Sequence, residues 1–246
     1  MSKGTITLTF SEAVENHTGM EIIGEKVQNG FLIQDLETLN GQYKKESELI
    51  YLNEPIDDEM PEAAILIFKN GLETIFGINP KDLMSEQSKL EVDKKCFMYG
   101  RVVNKKARYN LCFADFDQAP NYEEKKGTVV NFNKLPLLQK LREGLHEKFG
   151  EKFKNLFAEG NYYYDANKCY IGYHGDTERK KVVGVRLGEE FPLRYQWYQR
   201  GEKVGESIQF NLGDGDIYIM DEKATGNDWK QKSKLTLRHA AGRIIE

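Results

Sequence analysis

The sequence has few cysteines and no long apolar run, and each absence excludes a class of protein. Cys96, Cys112 and Cys169 are an odd number without CxxC spacing, which argues against a zinc ribbon or a disulfide framework. The longest apolar run, residues 63–68, is far too short to span a bilayer. The opening stretch MSKGTITLTF lacks the apolar core and cleavage site of a signal peptide. We therefore expect an intracellular protein, in the cytoplasm or nucleus, with reduced thiols and no membrane partner.

An excess of positive charge is also missing from the overall composition. The net charge is −4 at pH 7 and the pI is near 5.8. Composition alone therefore does not indicate a nucleic-acid-binding protein, because such a protein usually needs a basic surface to displace counterions from phosphate. Basic residues nevertheless cluster locally, as Arg101, Lys105, Lys106 and Arg108 show. They form either a basic face on an acidic protein or an ordinary set of solvated charges.

Alternating apolar and polar residues predict strands in the first third of the chain. Residues 4–10 read as one strand, and the segments AAILIFKNG and LETIFGI read as two more about a turn at Asn70 and Gly71. The charged segment over residues 84–95 is a candidate boundary. We expect residues 1–92 to form an N-terminal α/β extension of unknown role, and residues 93–246 to form a second unit.

The second unit combines one clear helix with many short aromatic strands. Asn133 is a candidate cap, Pro136 suits the first turn and Gly150 is a plausible stop. The helix has an apolar stripe at steps of three and four, at Leu135, Leu138, Leu141, Leu145 and Phe149. Six or seven short strands separated by Gly, Asp and Lys follow Gly160, a spacing typical of a sandwich or barrel. The predicted fold class is α+β, with helices packed on an antiparallel double-stranded roll.

A histidine and an aspartate stand two residues apart in the segment YIGYHGDTER. In an extended strand, residues i and i+2 face the same side, so His174 and Asp176 can direct an imidazole nitrogen and a carboxylate oxygen at one point. With a further histidine they would complete the two-histidine, one-carboxylate set that holds Fe(II) and leaves positions open for substrate and oxygen. A polar turn at the end of a strand is the alternative reading of the same pair.

The chain has four histidines, which limits the search for a third ligand. His17 lies in a polar N-terminal loop, and His146 lies in the Leu-rich helix, where a partly exposed surface histidine is the simpler reading. His239 follows the strand-like segment KLTLR near the C-terminus. A roll can bring such a distant strand back beside the first pair of ligands.

The order of these segments resembles the AlkB-like Fe(II)/2-oxoglutarate dioxygenases. The runs NYYYDANKCYIGYHGDTE, VVGVRLG and GDGDIYIMDEKATGNDWKQKSKLTLRHAAG are similar to that family's tyrosine-bearing strand, HxD pair and closing segment. The preceding helix is also similar, and the likeness covers roughly residues 95–242. It implies a double-stranded β-helix (jelly-roll) core, Fe(II) as metal and 2-oxoglutarate as co-substrate.

The resemblance leaves two alignments open for the last ligand and the 2-oxoglutarate arginine. In the first, Arg238 binds the 2-oxoglutarate carboxylate, and the third ligand is missing or is replaced near Asn227 or Gln231. In the second, His239 is the ligand and the arginine is Arg243. We favour His239, because a third imidazole is chemically needed. Tyr164 falls at the position where the family has a tyrosine whose hydroxyl contacts 2-oxoglutarate. The family has an asparagine two residues earlier; that position is Tyr162 here, and Asn161 is adjacent.

The expected activity is hydroxylation of N-alkylated nucleobases, which demethylates DNA or RNA oxidatively. Such an enzyme acts on single strands or on a flipped base, so an aromatic and basic rim is useful. Tyr99, Arg101 and Arg108 are the candidate substrate-binding residues, and we expect a monomer. Two alternatives remain: a dioxygenase acting on a protein or small molecule, and a non-catalytic nucleic-acid or protein binding module with an incomplete metal triad.

Overall fold

The computed structural model describes residues 4–53 and 61–243, which form an α+β protein dominated by strands. The α-helices of these residues are α1 (Ile33–Gln42), α2 (Gly71–Thr74), α3 (Pro80–Ser88) and α4 (Pro136–Phe149). Over the two described ranges, no helix has the length and hydropathy needed to cross a membrane.

The strands fall into two larger sheets and two small hairpins. Up to residue 104, the described part of the chain has the strands β1 (Thr5–Ser11), β2 (Ala13–Glu15), β3 (Ile22–Gly24), β4 (Ser47–Tyr51), β5 (Ala64–Phe68), β6 (Lys95–Met98) and β7 (Arg101–Asn104). Those that follow are β8 (Tyr109–Ala114), β9 (Val129–Asn131), β10 (Phe157–Tyr163), β11 (Ile171–His174), β12 (Val182–Gly188), β13 (Phe191–Gln199), β14 (Glu202–Leu212), β15 (Ile217–Met220) and β16 (Thr236–Ala241).

The larger sheet has eight strands in the order β4-β5-β15-β12-β1-β10-β8-β9, and the smaller has the order β11-β16-β13-β14. The pairs within both sheets are antiparallel except β8 with β9. Strand β1 lies between β10 and β12, with Thr7 opposite both Asn161 and Arg186. The eight-stranded sheet therefore includes strands from both sides of residue 92, and the proposed division of the chain there stays a prediction.

One face of the eight-stranded sheet packs on the helices and forms the main apolar core. Its strands contribute every second residue to this side, as Leu8 and Phe10 of β1 show, and both are fully buried. The apolar stripe of α4 lies against this face, with Leu138, Leu141 and Leu145 all at 0% exposure. The burial of this stripe confirms the helix prediction made from the spacing of three and four.

The opposite face of the same sheet packs against the four-stranded sheet. Leu193, Tyr195 and Trp197 of β13 join Ile65 of β5 and Tyr218 of β15 in a second buried apolar cluster. The Trp197 indole N–H donates to the carbonyl of Leu52 at 2.8 Å, so its polar atom is satisfied inside the core. This cluster fills one part of the space between the sheets.

Most of the predicted strands and the predicted helix are confirmed, and two local predictions are wrong. The segment LETIFGI is not a strand: Gly71–Thr74 form α2, and Leu72, Ile75 and Phe76 have the three- and four-residue spacing of a helix that buries one side. Asn133 is not the cap of α4, because it lies within a short 3-10 turn and Leu135 takes the capping position. Gly150 ends α4 with φ +98°, which favours glycine.

Candidate metal centre

His174, Asp176 and His239 come together in one group whose potential ligand atoms all lie within 4.8 Å of one another. The Asp176 Oδ1 atom is 3.6 Å from His174 Nε2 and 3.7 Å from His239 Nε2. The two imidazole centroids are 4.4 Å apart. Two imidazole nitrogens and one carboxylate oxygen therefore converge on a single point.

Strand pairing brings the two histidines together across a long separation in sequence. His174 ends β11 and lies directly opposite His239 of β16, at a place where the register of the pair is irregular. Asp176 is fixed by its backbone N–H, which donates to the Thr225 carbonyl at 3.0 Å. Gly175 between the ligands has no room for a side chain, because a Cβ atom there would lie 1.9 Å from the Gly226 carbonyl oxygen. The close approach of the Gly226 backbone thus explains why glycine stands between the histidine and the aspartate.

The hydrogen bonding of His174 leaves the correct nitrogen free to bind a metal. Its Nδ1 atom lies 2.8 Å from the Gly172 carbonyl oxygen, so Nδ1 carries the proton and donates. The Nε2 atom, which faces Asp176, then has its lone pair available. Burial lowers the pKa of His174 to about 4, and burial also lowers the pKa of His239 well below its usual value, with His174 and Arg179 acting in the same direction. Neutral imidazole is the form that binds metals.

Arg179 holds the second oxygen of the aspartate. Its Nε atom is 3.5 Å from Asp176 Oδ2, while Oδ1 faces the two histidines. The same guanidinium donates to Glu159 at 2.8 Å and pairs with Glu178 at 2.5 Å. Burial raises the pKa of Asp176 to about 8, and Arg179 partly opposes this rise. A cation at the convergence point would favour the ionised carboxylate.

The triad lies in a cavity of about 570 Å³ between the two sheets. The cavity is lined by residues of the eight-stranded sheet and of β11, β13 and β16, and its size is within the range of small-molecule sites. Three arginines line it, Arg108, Arg179 and Arg186, and Trp229 lies beside the triad. The cavity can thus hold a small anionic molecule together with a metal ion.

The structure does not bring the predicted 2-oxoglutarate residues Arg238, Arg243 and Tyr164 into this cavity. Arg238 alternates with His239 on β16, so it faces the other side, where its guanidinium lies 3.9 Å from the Tyr198 ring centroid. Arg243 donates to the Asn167 side chain and the Glu190 carbonyl. In this structure neither arginine lines the cavity that holds the triad, because Arg238 faces away on β16 and Arg243 makes its contacts elsewhere.

Tyr164 lies one residue beyond β10, where it is 44% exposed and its hydroxyl donates to the Lys106 carbonyl. Its neighbour Tyr163 lines the cavity instead, and so does Asn161, two residues earlier on the same face of β10. Asn161 and Tyr163 of β10 therefore face the cavity, and Tyr164 lies outside it. The separation of two residues that the resemblance implies between asparagine and tyrosine is present as Asn161 and Tyr163.

The alternative ligands near the C-terminal turn lie away from the triad. Asn227 donates to the Glu222 carbonyl at 3.1 Å and lines a separate groove with Asp228. Gln231 is exposed. Neither residue lines the cavity that holds His174. Of the ligand sets considered from the sequence, only the set with His239 is assembled by the fold.

Arg186 and Arg179 are cavity residues that sequence reasoning missed. Both are almost completely buried, at 1% and 4% exposure. A signal for Arg186 was present: it is the lone charged residue in the otherwise apolar strand VVGVRLG, and alternation places it opposite to Val185 and Leu187. A buried charge within a strand that is apolar elsewhere is a stronger indication of function than a charge in a loop.

A basic groove of about 1260 Å³ adjoins the cavity. It lies along β6, β7 and the segment 105–108, and Arg108 and His17 line both the groove and the cavity. The predicted substrate-binding residues Tyr99, Arg101 and Arg108 all line this groove. Tyr99 is 87% exposed at the tip of the β6–β7 hairpin, where it adopts φ +55°. The structure therefore brings these three residues together in a groove that adjoins the cavity of the triad, and Arg108 alone of the three also lines that cavity.

No protein family model matches the chain. It is 47% identical over 247 residues to "Uncharacterized protein R156" of Acanthamoeba polyphaga mimivirus, and the match covers 98% of this chain and 96% of that protein. Such identity over nearly the full length of both chains makes them homologous throughout. The chain belongs to the same family as the mimivirus protein "Uncharacterized protein R156".

Proposed function

We propose that the protein is an Fe(II)- and 2-oxoglutarate-dependent dioxygenase with a double-stranded β-helix core that hydroxylates N-alkylated nucleobases. The observation that carries the proposal is the convergence of His174, Asp176 and His239 in a cavity between the two larger sheets. Two imidazoles and one carboxylate are the donors of the facial triad that suits non-haem Fe(II). The packing of the smaller sheet over one face of the larger supports the proposed core.

The residues around the point of convergence fit a metal ion. His174 presents Nε2 because Nδ1 is bonded to the Gly172 carbonyl, and Asp176 presents Oδ1 because Arg179 lies at Oδ2. Outer contacts of this kind fix the orientation of ligands and strengthen metal binding. With Fe(II) and 2-oxoglutarate bound, the centre would supply oxygen activation coupled to decarboxylation of the oxoacid to succinate.

The protein's own residues would hold the reactants and shield them from bulk water. The triad lies between the sheets, His239 is only 8% exposed and Trp229 is one of the residues that line the cavity. A substrate methyl group entering from the basic groove would be placed beside the metal ligands. Hydroxylation of an N-methyl group gives an unstable product that releases formaldehyde and leaves the demethylated base.

The adjoining groove supports a nucleic-acid substrate. Lys95, Arg101, Lys106 and Arg108 line it, and lysine and arginine are the side-chain types that bind a phosphate backbone. Lys105 lines it too, but its ammonium donates to the Asn16 and Asn110 side chains. The exposed Tyr99 provides a ring on which a base can stack. Single-stranded DNA or RNA, or a flipped base, is the substrate form that fits a groove leading to a buried centre.

Succinate release tests the activity most simply. Protein reconstituted with Fe(II) is incubated with 2-oxoglutarate, oxygen and ascorbate, and succinate is measured with and without oligonucleotides carrying 1-methyladenine, 3-methylcytosine or N6-methyladenine. The proposal predicts succinate and an equal amount of formaldehyde with at least one oligonucleotide. Fe(II) binding without any succinate release would contradict it and favour a binding module.

The substrate class is tested separately from the reaction class. Substrate-independent succinate release without formaldehyde from any of the three methylated oligonucleotides would retain the dioxygenase and remove these nucleobases as substrates. A screen of methylated peptides and small metabolites would then identify the alternative. Loss of all succinate release in Asp176→Asn, with the fold intact by circular dichroism, links any turnover to this centre.

A further inference from the structure

Arg186 is a buried cation whose hydrogen-bonding capacity is only partly used. It projects from β12 into the space between the sheets and is 1% exposed. One of its terminal nitrogens donates to the Thr7 hydroxyl of β1, whereas its Nε atom has no hydrogen-bond partner. The rings of Phe191 and Tyr218 flank the guanidinium, with centroids at 5.3 and 5.9 Å.

No carboxylate in residues 4–53 or 61–243 forms an ion pair with Arg186. Its hydrogen-bond acceptor is a neutral hydroxyl, and its ring neighbours cannot neutralise a full charge. Burial of an unpaired charge is strongly unfavourable, and arginine does not lose its proton to escape the cost. A buried guanidinium without a counterion, facing a cavity, is therefore a site for an anion.

The two other arginines of the cavity are already engaged. Arg179 is shared among Glu159, Glu178 and Asp176. The Arg108 Nε atom donates to the Asn161 side chain at 2.6 Å, and Arg108 also lines the outer groove. Among the arginines that line the cavity, only Arg186 combines full burial with a free donor and no acidic partner.

We infer that Arg186 binds a carboxylate of a small dicarboxylate, the distal carboxylate of the oxoacid co-substrate. The identity of this ligand rests on the proposed function, whereas the anion site follows from Arg186 itself. The guanidinium fork suits a carboxylate because it can donate two parallel hydrogen bonds. This arginine lies on β12. The sequence resemblance assigns the same role to Arg238 on β16 or to Arg243 in the segment after it.

Binding of 2-oxoglutarate to Mn(II)-loaded protein without oxygen tests the assignment. Isothermal titration compares the wild type with Arg186→Gln and Arg186→Lys. The matched control is Arg238→Gln, because Arg238 lies on the face of β16 that points away from His239 and the cavity. The inference predicts roughly 10- to 100-fold weaker binding for Arg186→Gln, an intermediate loss for Arg186→Lys, and no change beyond about threefold for Arg238→Gln. Unchanged binding in Arg186→Gln, or the larger loss in Arg238→Gln, would overturn it.

A ligand series keeps the inference testable if the arginine variants do not fold. In the wild type, 2-oxobutyrate lacks the second carboxylate and is predicted to bind at least about tenfold more weakly than 2-oxoglutarate. Equal affinity would overturn the inference. Thermal unfolding adds a second readout. Because Arg186→Gln removes an unpaired buried charge, its unfolding midpoint without ligand should equal or exceed that of the wild type. The increase of the midpoint that 2-oxoglutarate causes in the wild type should be absent from this variant.

Metal-free titrations distinguish failure of this inference from failure of the proposed function. Glutarate carries both carboxylates and no oxo group, so the inference predicts Arg186-dependent glutarate binding without any metal. If that binding is present while Mn(II) and Fe(II) do not bind, the dioxygenase proposal fails and the anion site stands. If the metal binds and succinate forms while Arg186→Gln binds both acids normally, the anion site fails and the dioxygenase stands.

Discussion

The two faces of the eight-stranded sheet are both buried, yet they contain different chemistry. On β1, Leu8 and Phe10 face the helices and pack in the apolar core, whereas Thr7 and Thr9 face the cavity. On β12, Val185 and Leu187 face the helices, whereas Arg186 faces the cavity. The same strands thus build a packed core on one side and a polar site on the other. Burial alone does not separate stability from function; the polarity of the buried side chain does.

Removal of a metal ligand is expected to have the largest effect on the cavity side. His239→Ala should weaken Mn(II) or Fe(II) binding by at least about 1000-fold, or about 4 kcal/mol, because one of three donors is lost. The matched control is His146→Ala, since His146 lies on α4 and bonds to Glu151 outside the cavity. Anaerobic metal titration checks the pair. Full metal affinity in His239→Ala would remove it from the ligand set.

Truncation of a core residue on the helix side should affect stability and leave the site intact. Leu8→Ala removes a side chain that is 0% exposed in the core and should lower the free energy of unfolding by about 3 kcal/mol. Thr9→Ala on the cavity face of the same strand should cost no more than about 1 kcal/mol, since it borders open space. Urea denaturation measures both. Equal losses would show that the two faces are packed alike.

The basic groove should contribute affinity for nucleic acid without contributing to metal binding. Replacement of both Arg101 and Lys106 by alanine should weaken binding of a single-stranded oligonucleotide about tenfold at low salt. The number of counterions released on binding, read from the slope of log K against log salt concentration, should fall by up to about two. Lys81→Ala on α3 is the control for a general change in net charge. Fluorescence anisotropy over a series of salt concentrations checks this. An effect of the same size in Lys81→Ala would exclude a localised groove.

Glu15 at the edge of the cavity should give a small, pH-dependent effect on stability. Burial, reinforced by Glu178, raises the pKa of Glu15 to about 7, above its ordinary value of 4.5. The fold therefore holds this proton more tightly than the unfolded chain, so stability is lost as the pH rises from 4.5 through 7. Glu15→Gln should be more stable than the wild type by up to ~1 kcal/mol at pH 8 and by nothing at pH 4, with the size limited by partial exposure.

Thermal or urea unfolding at several pH values tests this last expectation. A difference between Glu15→Gln and the wild type that is independent of pH would show that the carboxyl group does not titrate where its surroundings place it. A wild type that gains stability relative to the variant as the pH rises would reverse the sign and contradict the desolvation argument.

Local sequence patterns predict most of the helices and strands, because these elements depend on residues that are close in sequence. The α4 stripe, the strand at residues 4–10 and the strands after Gly160 all follow from spacing alone. The HxD pair gave two candidate ligands for the same reason. His239 came from the short list of histidines, and the structure places it opposite His174 through pairing of β11 with β16. That pairing is long-range, so no local pattern contains it.

The parts that sequence did not predict depend on strand phase and on distant pairing. A shift of one residue exchanges the two faces of a strand, so the resemblance indicates Tyr164 whereas its neighbour Tyr163 lines the cavity. The placement of β1 between β10 and β12 brings Thr7 to Arg186, and nothing in either segment alone indicates it. The LETIFGI segment shows that a short apolar run fits a helix as well as a strand.

A crystal structure of the protein soaked with Mn(II) or Fe(II) without oxygen tests the central claim most directly. The account predicts one anomalous difference peak, within about 2.0–2.3 Å of His174 Nε2, Asp176 Oδ1 and His239 Nε2, with the remaining positions open to small ligands. A peak at other residues, or none at a metal concentration that saturates binding in solution, would contradict the assignment of this triad as the metal centre.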